Sequence, residues 1–203
     1  MIPKIAVGKI LRKKKLTLAI AESCTGGLIS NLITDASGSS DYFKLGIVAY
    51  SNRAKEKILG VSFRQRERPS SVIARRPKAD CFTRHCESAE GGRSNLKNGF
   101  ATGSAISKQV ALEMANGVRL LAGTDIGIGV TGIAGPKPLA SLGYRAGPTG
   151  GTKSKPVGLI YIALVTNKKH IVKEFHFKGS RLKIKSQAAQ AALQLLIRLV
   201  GHP

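Results

Sequence analysis

Residues 16–34 read LTLAIAESCTGGLISNLIT, and this stretch decides the fold. Its first six residues, 16–21, predict a buried strand because they are almost entirely apolar. Glu22 to Gly27 then form a sharp glycine-rich turn, and residues 27–34 predict the beginning of a helix. Strands and helices continue to alternate on both sides of this unit, which indicates an α/β protein.

The other predicted elements extend this pattern along the chain. Further strands are predicted at 45–51, 125–130, 157–165 and 170–177, and helices at 3–13, at 53–59, after the N-cap Ser107 and from near Ser180. The last two strands form an adjacent pair joined by a short turn. We therefore predict a three-layer α/β/α sandwich with a mixed β-sheet, in a single domain of residues 1–203.

Two of the predicted helices show which face they bury. The helix after Ser107 carries an apolar row made of Val110, Met114, Val118 and Leu121. The last helix carries a longer stripe made of Ile184, Ala188, Ala191, Leu195 and Leu199. Both helices are therefore expected to pack on the sheet through these faces.

The charge of the chain is strongly positive. It has 33 Lys and Arg residues against 11 Asp and Glu residues, a formal net charge of +22 at pH 7. Clustered cations suit nucleic acid, because they release counterions from phosphates. Here the basic residues are spread from Lys4 to Arg198, and with no Trp there are few platforms for stacking bases. Both observations disfavour a nucleic-acid partner, whereas a positive field also attracts anionic small substrates.

Three features indicate a cytoplasmic protein that does not enter a membrane. No apolar run reaches the roughly 18 residues that a bilayer span requires. The chain begins MIPKIAVGKILRKKK, with charges after the apolar residues, whereas a secretory signal places them before. The chain has three cysteines, Cys24, Cys81 and Cys86. This small, odd number argues against a disulfide framework and suits a reducing compartment.

Two glycine-rich turns follow predicted strands, AESCTGG at 21–27 and TGIAGP at 131–136. In α/β sheets, sites gather at the carboxyl ends of strands. Amide groups at such turns bind an anion or a developing oxyanion. The same turns also occur for packing alone. Ser23 and Cys24 both have the chemistry of a nucleophile, and the residues by themselves do not choose between them.

No histidine is an obvious base for that nucleophile. His85 lies in an irregular stretch, His202 lies at the C-terminus, and His170 and His176 lie in the predicted strand pair. The usual alternative is lysine, whose pKa of about 10.4 must first be lowered by burial or by nearby cations. Lys55 follows the second strand and could reach the same sheet edge, although spacing alone does not establish that pairing.

Several long motifs together resemble one family. AESCTGG, residues 34–61 (TDASGSSDYFKLGIVAYSNRAKEKILGV), TGIAGP and GGTKSKPVG closely resemble the C-terminal domain family of the competence/damage-inducible protein CinA. The resemblance covers roughly residues 10–61, 104–136 and 149–199. Family members that stand alone at this length are nicotinamide-nucleotide amidases, so the resemblance implies a hydrolase. It also implies a homodimer. The hydrolase would convert nicotinamide mononucleotide to nicotinic acid mononucleotide and ammonia, with no cofactor and no metal.

The resemblance also implies the roles of individual residues. Ser23 is expected to be the nucleophile, Lys55 the general base, and Thr131 a participant in proton transfer between them. Substrate contacts are expected from Tyr50 in the nicotinamide pocket, from Arg181 at the phosphate, from the amides of Thr25, Gly26 and Gly27 as an oxyanion hole, and from Gly132.

Two stretches depart from the family pattern. Residues 62–103 lack apolar periodicity and are rich in Arg, and removing residues 137–148 restores TGIAGPTGGTKSKPVG. We predict that both are irregular insertions. Cys81, His85 and Cys86 lack a fourth ligand and regular spacing, which disfavours a zinc site. The insertions leave two alternatives open, a catalytically impaired family member and a basic nucleic-acid-binding protein.

Overall fold

The structure is a computed structural model that describes residues 3–63, 105–135 and 151–201. All of these residues except Phe63 belong to one compact unit. The predicted insertion at 137–148 lies outside the described residues, and so does nearly all of the one at 62–103. Cys81, His85, Cys86 and His202 also lie outside them, so the interpretations that concern these residues remain predictions.

The helices and strands follow one another in the order that the sequence predicts. The helices are α1 (Pro3–Lys14), α2 (Leu28–Thr34), α3 (Asn52–Leu59), α4 (Lys108–Ala122) and α5 (Arg181–Gly201). The strands are β1 (Leu18–Glu22), β2 (Phe43–Val48), β3 (Ile126–Gly132), β4 (Leu159–Thr166) and β5 (His170–His176). The N-cap at Ser107 is confirmed, because its side chain accepts a hydrogen bond from the Val110 amide at 3.2 Å.

The five strands form one mixed sheet in the order β2-β1-β3-β4-β5. β1 pairs in parallel with β2 and β3, whereas β3–β4 and β4–β5 are antiparallel. The mixed α/β sheet is therefore confirmed. The carboxyl ends of β1, β2 and β3 meet at one edge, which is where both glycine-rich turns begin.

Helices cover both faces of the sheet, and β3 shows why. Ile126, Ile128 and Val130 point into the main core, where residues of α1, α2 and α5 also lie. The alternate residues Gly127 and Gly129 face α4, because a Cβ at either position would overlap a backbone carbonyl oxygen of that helix. This absence of side chains lets α4 lie directly on the sheet and produces the third layer.

Some predicted boundaries and contacts are wrong. The second strand begins at Phe43 and ends at Val48, because the Ser51 side chain already caps α3 by accepting from the Ala54 amide. Leu121 is half exposed because it lies outside the buried face of α4. That face combines the predicted row with two alanines and consists of Val110, Ala111, Met114, Ala115 and Val118. In α5 the predicted stripe is buried except for Leu199, which is only partly buried against the core.

None of the helices described has the length and apolar character to span a bilayer.

Candidate active site

The site begins where β1 and β3 end side by side. Glu22, the last residue of β1, is in register with Val130 of β3. The next residue, Ser23, donates its backbone N–H to the Val130 carbonyl at 3.0 Å. Ser23 and Thr131 therefore follow two paired positions and leave the sheet at the same edge. This arrangement is a direct consequence of parallel pairing, which aligns the carboxyl ends of neighbouring strands.

A buried carboxylate shapes the turn that carries Ser23. Glu22 is fully buried and accepts backbone N–H groups of Gly27, Ile29 and Ser30 at 3.0, 3.1 and 2.8 Å, together with the Ser30 hydroxyl at 2.7 Å. It thereby satisfies free amides at the start of α2. Gly26 and Gly27 complete the turn with φ values of 64° and 92°, in the left-handed region that glycine adopts without strain.

This carboxylate corrects one detail of the predicted oxyanion hole. The Gly27 amide is already bonded to Glu22, so it is not available to a substrate oxygen. The side chain of Thr25 is fully buried, and its hydroxyl has no hydrogen-bond partner among the described residues. Of the three predicted oxyanion donors, Gly26 alone is exposed and has no described hydrogen bond from its amide.

Replacing Glu22 with Ala is expected to destabilise the protein by about 3 kcal/mol, because it leaves several buried donors without an acceptor. Glu22→Gln should be nearly as harmful, since an amide NH2 group would face the amide donors of the turn. Urea denaturation followed by circular dichroism measures the effect. Glu56→Gln, at an exposed position of α3, is the control and should change stability by less than about 0.5 kcal/mol. Equal stability of the Glu22 and Glu56 variants would contradict the anchoring role.

Lys55 approaches the same edge from α3. Its side chain is only 3% exposed, and its Nζ donates to the Thr131 hydroxyl at 3.4 Å. The Thr131 hydroxyl in turn donates to the Ala105 carbonyl at 3.1 Å. The Ser23 amide and the Lys55 amine thus contact consecutive residues of β3, Val130 and Thr131.

Burial changes the acid–base properties of Lys55 and of Cys24. Loss of hydration lowers the pKa of Lys55 from its ordinary value, and an interaction with Cys24 opposes this only in part. The pKa of the Cys24 thiol is raised to about 12, mainly by burial, while Lys55 and Arg181 act in the opposite direction. Cys24 therefore stays a neutral thiol at neutral pH, which disfavours it as the nucleophile.

Arg181 and Tyr50 meet at the rim of this site. Arg181, the first residue of α5, donates from Nη2 to the Tyr50 hydroxyl at 2.8 Å. A Cβ built on Gly135, in the second glycine-rich turn, would lie 2.8 Å from Nη1 of the same side chain. Arg181 therefore lies between Tyr50 and that turn. Tyr50 is 58% exposed, so a substrate has access to its ring.

Gly132 has a packing explanation. It is in register with Ile160 of β4, and a Cβ at this position would overlap the Leu159 carbonyl oxygen and the Ile160 side chain. The close approach of β4 accounts for glycine here without any ligand. Its predicted contact with substrate stays a prediction.

A sequence model described as the CinA C-terminal domain matches residues 4–75, 96–142 and 138–200. The chain belongs to the CinA C-terminal domain family. Residues 76–95 are left unmatched, and they lie within the stretch 62–103 that was predicted as an insertion.

Relatives of this CinA C-terminal domain support the assignment. A "putative competence-damage inducible protein" of Thermoanaerobacter pseudethanolicus is 40% identical over 190 residues, which is 94% of this chain and 35% of that protein. The chain thus spans about a third of the length of the curated relatives it matches.

Solved structures show the same fold. The competence/damage inducible protein CihA of Agrobacterium tumefaciens is 28% identical, with a TM-score of 0.68, covering 98% of this chain and 96% of that one. A CinA superfamily protein of Escherichia coli is 26% identical, with a TM-score of 0.69, covering 97% and 88%.

One further cation at this CinA-type site was not predicted. A Cβ built on Gly26 would lie 3.4 Å from Nζ of Lys185, so the Lys185 ammonium lies over the turn that follows Ser23. Lys185 comes four residues after Arg181, and residues at that spacing share one face of a helix. This spacing was the available signal, and it was hidden among the 33 Lys and Arg residues of the chain.

Proposed function

We propose that this CinA C-terminal domain hydrolyses the carboxamide of nicotinamide mononucleotide to give nicotinic acid mononucleotide and ammonia. The observation that carries the proposal is the buried Lys55, whose lowered pKa makes it a base beside the strand end that presents Ser23. Family membership supports the same reaction class. The whole-length relatives are named only as competence-damage inducible or CinA-like proteins, so the substrate is our proposal.

The chemistry starts with Lys55 in its neutral form. Its amine takes the hydroxyl proton of Ser23, and the alkoxide attacks the carboxamide carbon of the substrate. The Thr131 hydroxyl, which contacts the Lys55 amine, assists this transfer. Because its proton points to the Ala105 carbonyl, a relay through Thr131 requires the hydroxyl to rotate.

The rest of the cycle is acyl transfer. The backbone amide of Gly26, which is exposed, stabilises the negative oxygen of the tetrahedral intermediate. Lys55 returns its proton to the departing nitrogen, and ammonia leaves an acyl-serine. Lys55 then deprotonates water, which attacks the ester, releases nicotinic acid mononucleotide and restores the Ser23 hydroxyl.

A histidine base is not part of this scheme. The two described histidines, His170 and His176, lie on β5, at the far edge of the sheet from β1. Both are exposed, and His176 is paired with Glu174 at 2.9 Å. Lys55 is therefore the base that the described residues favour at the Ser23 turn.

Incubating the purified chain with nicotinamide mononucleotide and measuring ammonia tests the proposal. Stoichiometric release of ammonia and nicotinic acid mononucleotide supports it. No release from a protein that is folded by circular dichroism would refute it. Residues 137–148 can then be deleted to learn whether the predicted insertion causes the loss.

The rate should fall in acid because Lys55 must be unprotonated. We expect kcat/KM to decrease tenfold per pH unit on its acidic limb, with a midpoint below the ordinary lysine value of 10.5. Steady-state ammonia release across the neutral and alkaline range measures this profile. Circular dichroism over the same range separates titration from unfolding. A profile that stays flat until the protein unfolds in acid would contradict a lysine base.

A further inference from the structure

Two cations project from one face of α5 toward the glycine-rich turns. Arg181 and Lys185 are four residues apart, and Ile184 between them is buried in the core, which sets the rotation of the helix. Lys183 lies on the opposite side and is exposed, with its chain against Gly179. The pair Arg181–Lys185 therefore faces the site, whereas its basic neighbour does not.

Each cation reaches a different turn. Lys185 lies over Gly26, three residues after Ser23, and Arg181 lies against Gly135, four residues after Thr131. Arg181 also acts electrostatically on Cys24, the residue next to Ser23. The two charges thus lie beside the turn that carries the nucleophile and the turn that follows Thr131.

The pair has no anionic partner in residues 3–63, 105–135 and 151–201. The only described hydrogen bond of Arg181 joins it to the neutral hydroxyl of Tyr50, and Lys185 forms no described ion pair. Two unneutralised cations at adjacent turns of a helix suit the double negative charge of a phosphate monoester. The guanidinium gives directed hydrogen bonds and the ammonium a mobile point charge.

We propose that Lys185 is a substrate-binding residue that, together with Arg181, holds the phosphate of the mononucleotide. This inference rests on the proposed function and adds a residue to it. Because Gly26 has no side chain, the Lys185 ammonium can lie directly above the backbone of the nucleophile turn. The phosphate would then be held at one end of the substrate while the carboxamide reaches Ser23. This pair of cations, the Arg181–Lys185 clamp, makes the site selective for the mononucleotide over the nucleoside.

Binding and turnover of two probes test this selectivity. Nicotinamide mononucleotide and nicotinamide riboside differ by the phosphate alone. In a Ser23→Ala background, where no turnover is expected, Lys185→Met should weaken calorimetric binding of the mononucleotide about ten- to a hundredfold. Binding of the riboside should change less than about twofold. In the protein with Ser23 intact, the same substitution should raise KM for the mononucleotide much more than it lowers kcat.

Lys183→Met is the matched control, since it removes the same charge from the same helix on the face away from the site. It should leave the ratio of the two affinities unchanged. Equal losses for mononucleotide and riboside, an equal effect of Lys183→Met, or no preference for the mononucleotide before mutation would each overturn the clamp. Absence of ammonia release by the unaltered chain, with selective binding retained, would refute the proposed amidase reaction and leave the clamp standing.

Discussion

Ser23→Ala is expected to lower kcat for ammonia release about 10,000-fold or more, with little change in stability. The substitution removes the atom that forms the acyl intermediate. It keeps the backbone N–H of this residue, which bonds to the Val130 carbonyl, and the side chain is small and 7% exposed. Ammonia release by the variant, measured at saturating nicotinamide mononucleotide, gives kcat, and thermal unfolding gives stability.

Cys24→Ala is the informative partner of that variant because the two candidate nucleophiles are adjacent. Its thiol is buried with a pKa near 12, so its removal should leave most of the activity while costing some packing energy. An active Ser23→Ala protein beside an inactive Cys24→Ala protein would move the nucleophile to the thiol. Activity in both variants would leave the proposed mechanism without a covalent step.

Lys55→Met should lower kcat about 1,000-fold and also stabilise the folded protein by about 1 kcal/mol. The methionine side chain has a similar length and requires no hydration, whereas the Lys55 amine is almost fully buried. Opposite effects on rate and stability are the signature of a residue that is kept for chemistry. Lys57→Met, an exposed position on the same helix, should alter neither quantity appreciably.

The stability gain should depend on pH in a defined direction. Because burial lowers the pKa of Lys55 in the folded state, the unfolded chain binds more protons. The free energy of unfolding of the unaltered protein therefore rises with pH between the lowered pKa of Lys55 and the ordinary pKa of 10.5. Below the lowered pKa, Lys55 is protonated in both states, and its destabilising effect is complete. The advantage of Lys55→Met should shrink across the same window, which urea denaturation at several pH values can follow. A variant less stable than the unaltered protein would instead make Lys55 a structural cation.

Local sequence patterns were sufficient for most of the fold. The strand at 16–21, the glycine-rich turn and the Ser107 cap depend on nearest neighbours, and all appear close to their predicted positions. The predictions of burial failed where residues distant in sequence but close in space changed the packing. Leu121 has helical periodicity but lies off the buried face, because two alanines and the side-chain-free strand positions Gly127 and Gly129 set how α4 contacts the sheet.

The candidate site was less accessible to such reasoning. A glycine-rich turn suggests free amides, yet the Gly27 amide is bonded to a carboxylate five residues earlier, which no motif revealed. Lys185 was one of many lysines until the path of α5 brought it over Gly26. Its position depends on the packing of the last helix against the first glycine-rich turn, and that contact cannot be predicted from composition.

The amino-acid sequence by itself determined the α/β class, the order of the elements, the turn that presents Ser23 and membership of the CinA C-terminal domain family. These follow from periodicity, capping and short motifs, which are local. The tertiary structure alone decided that Lys55 loses its water and contacts Thr131, 76 residues away, and that Arg181 bonds to Tyr50, 131 residues away. The physical reason is that the hydration and charge of a side chain depend on its neighbours in space. Parallel pairing of β1 with β3 and the packing of α3 and α5 bring those neighbours together.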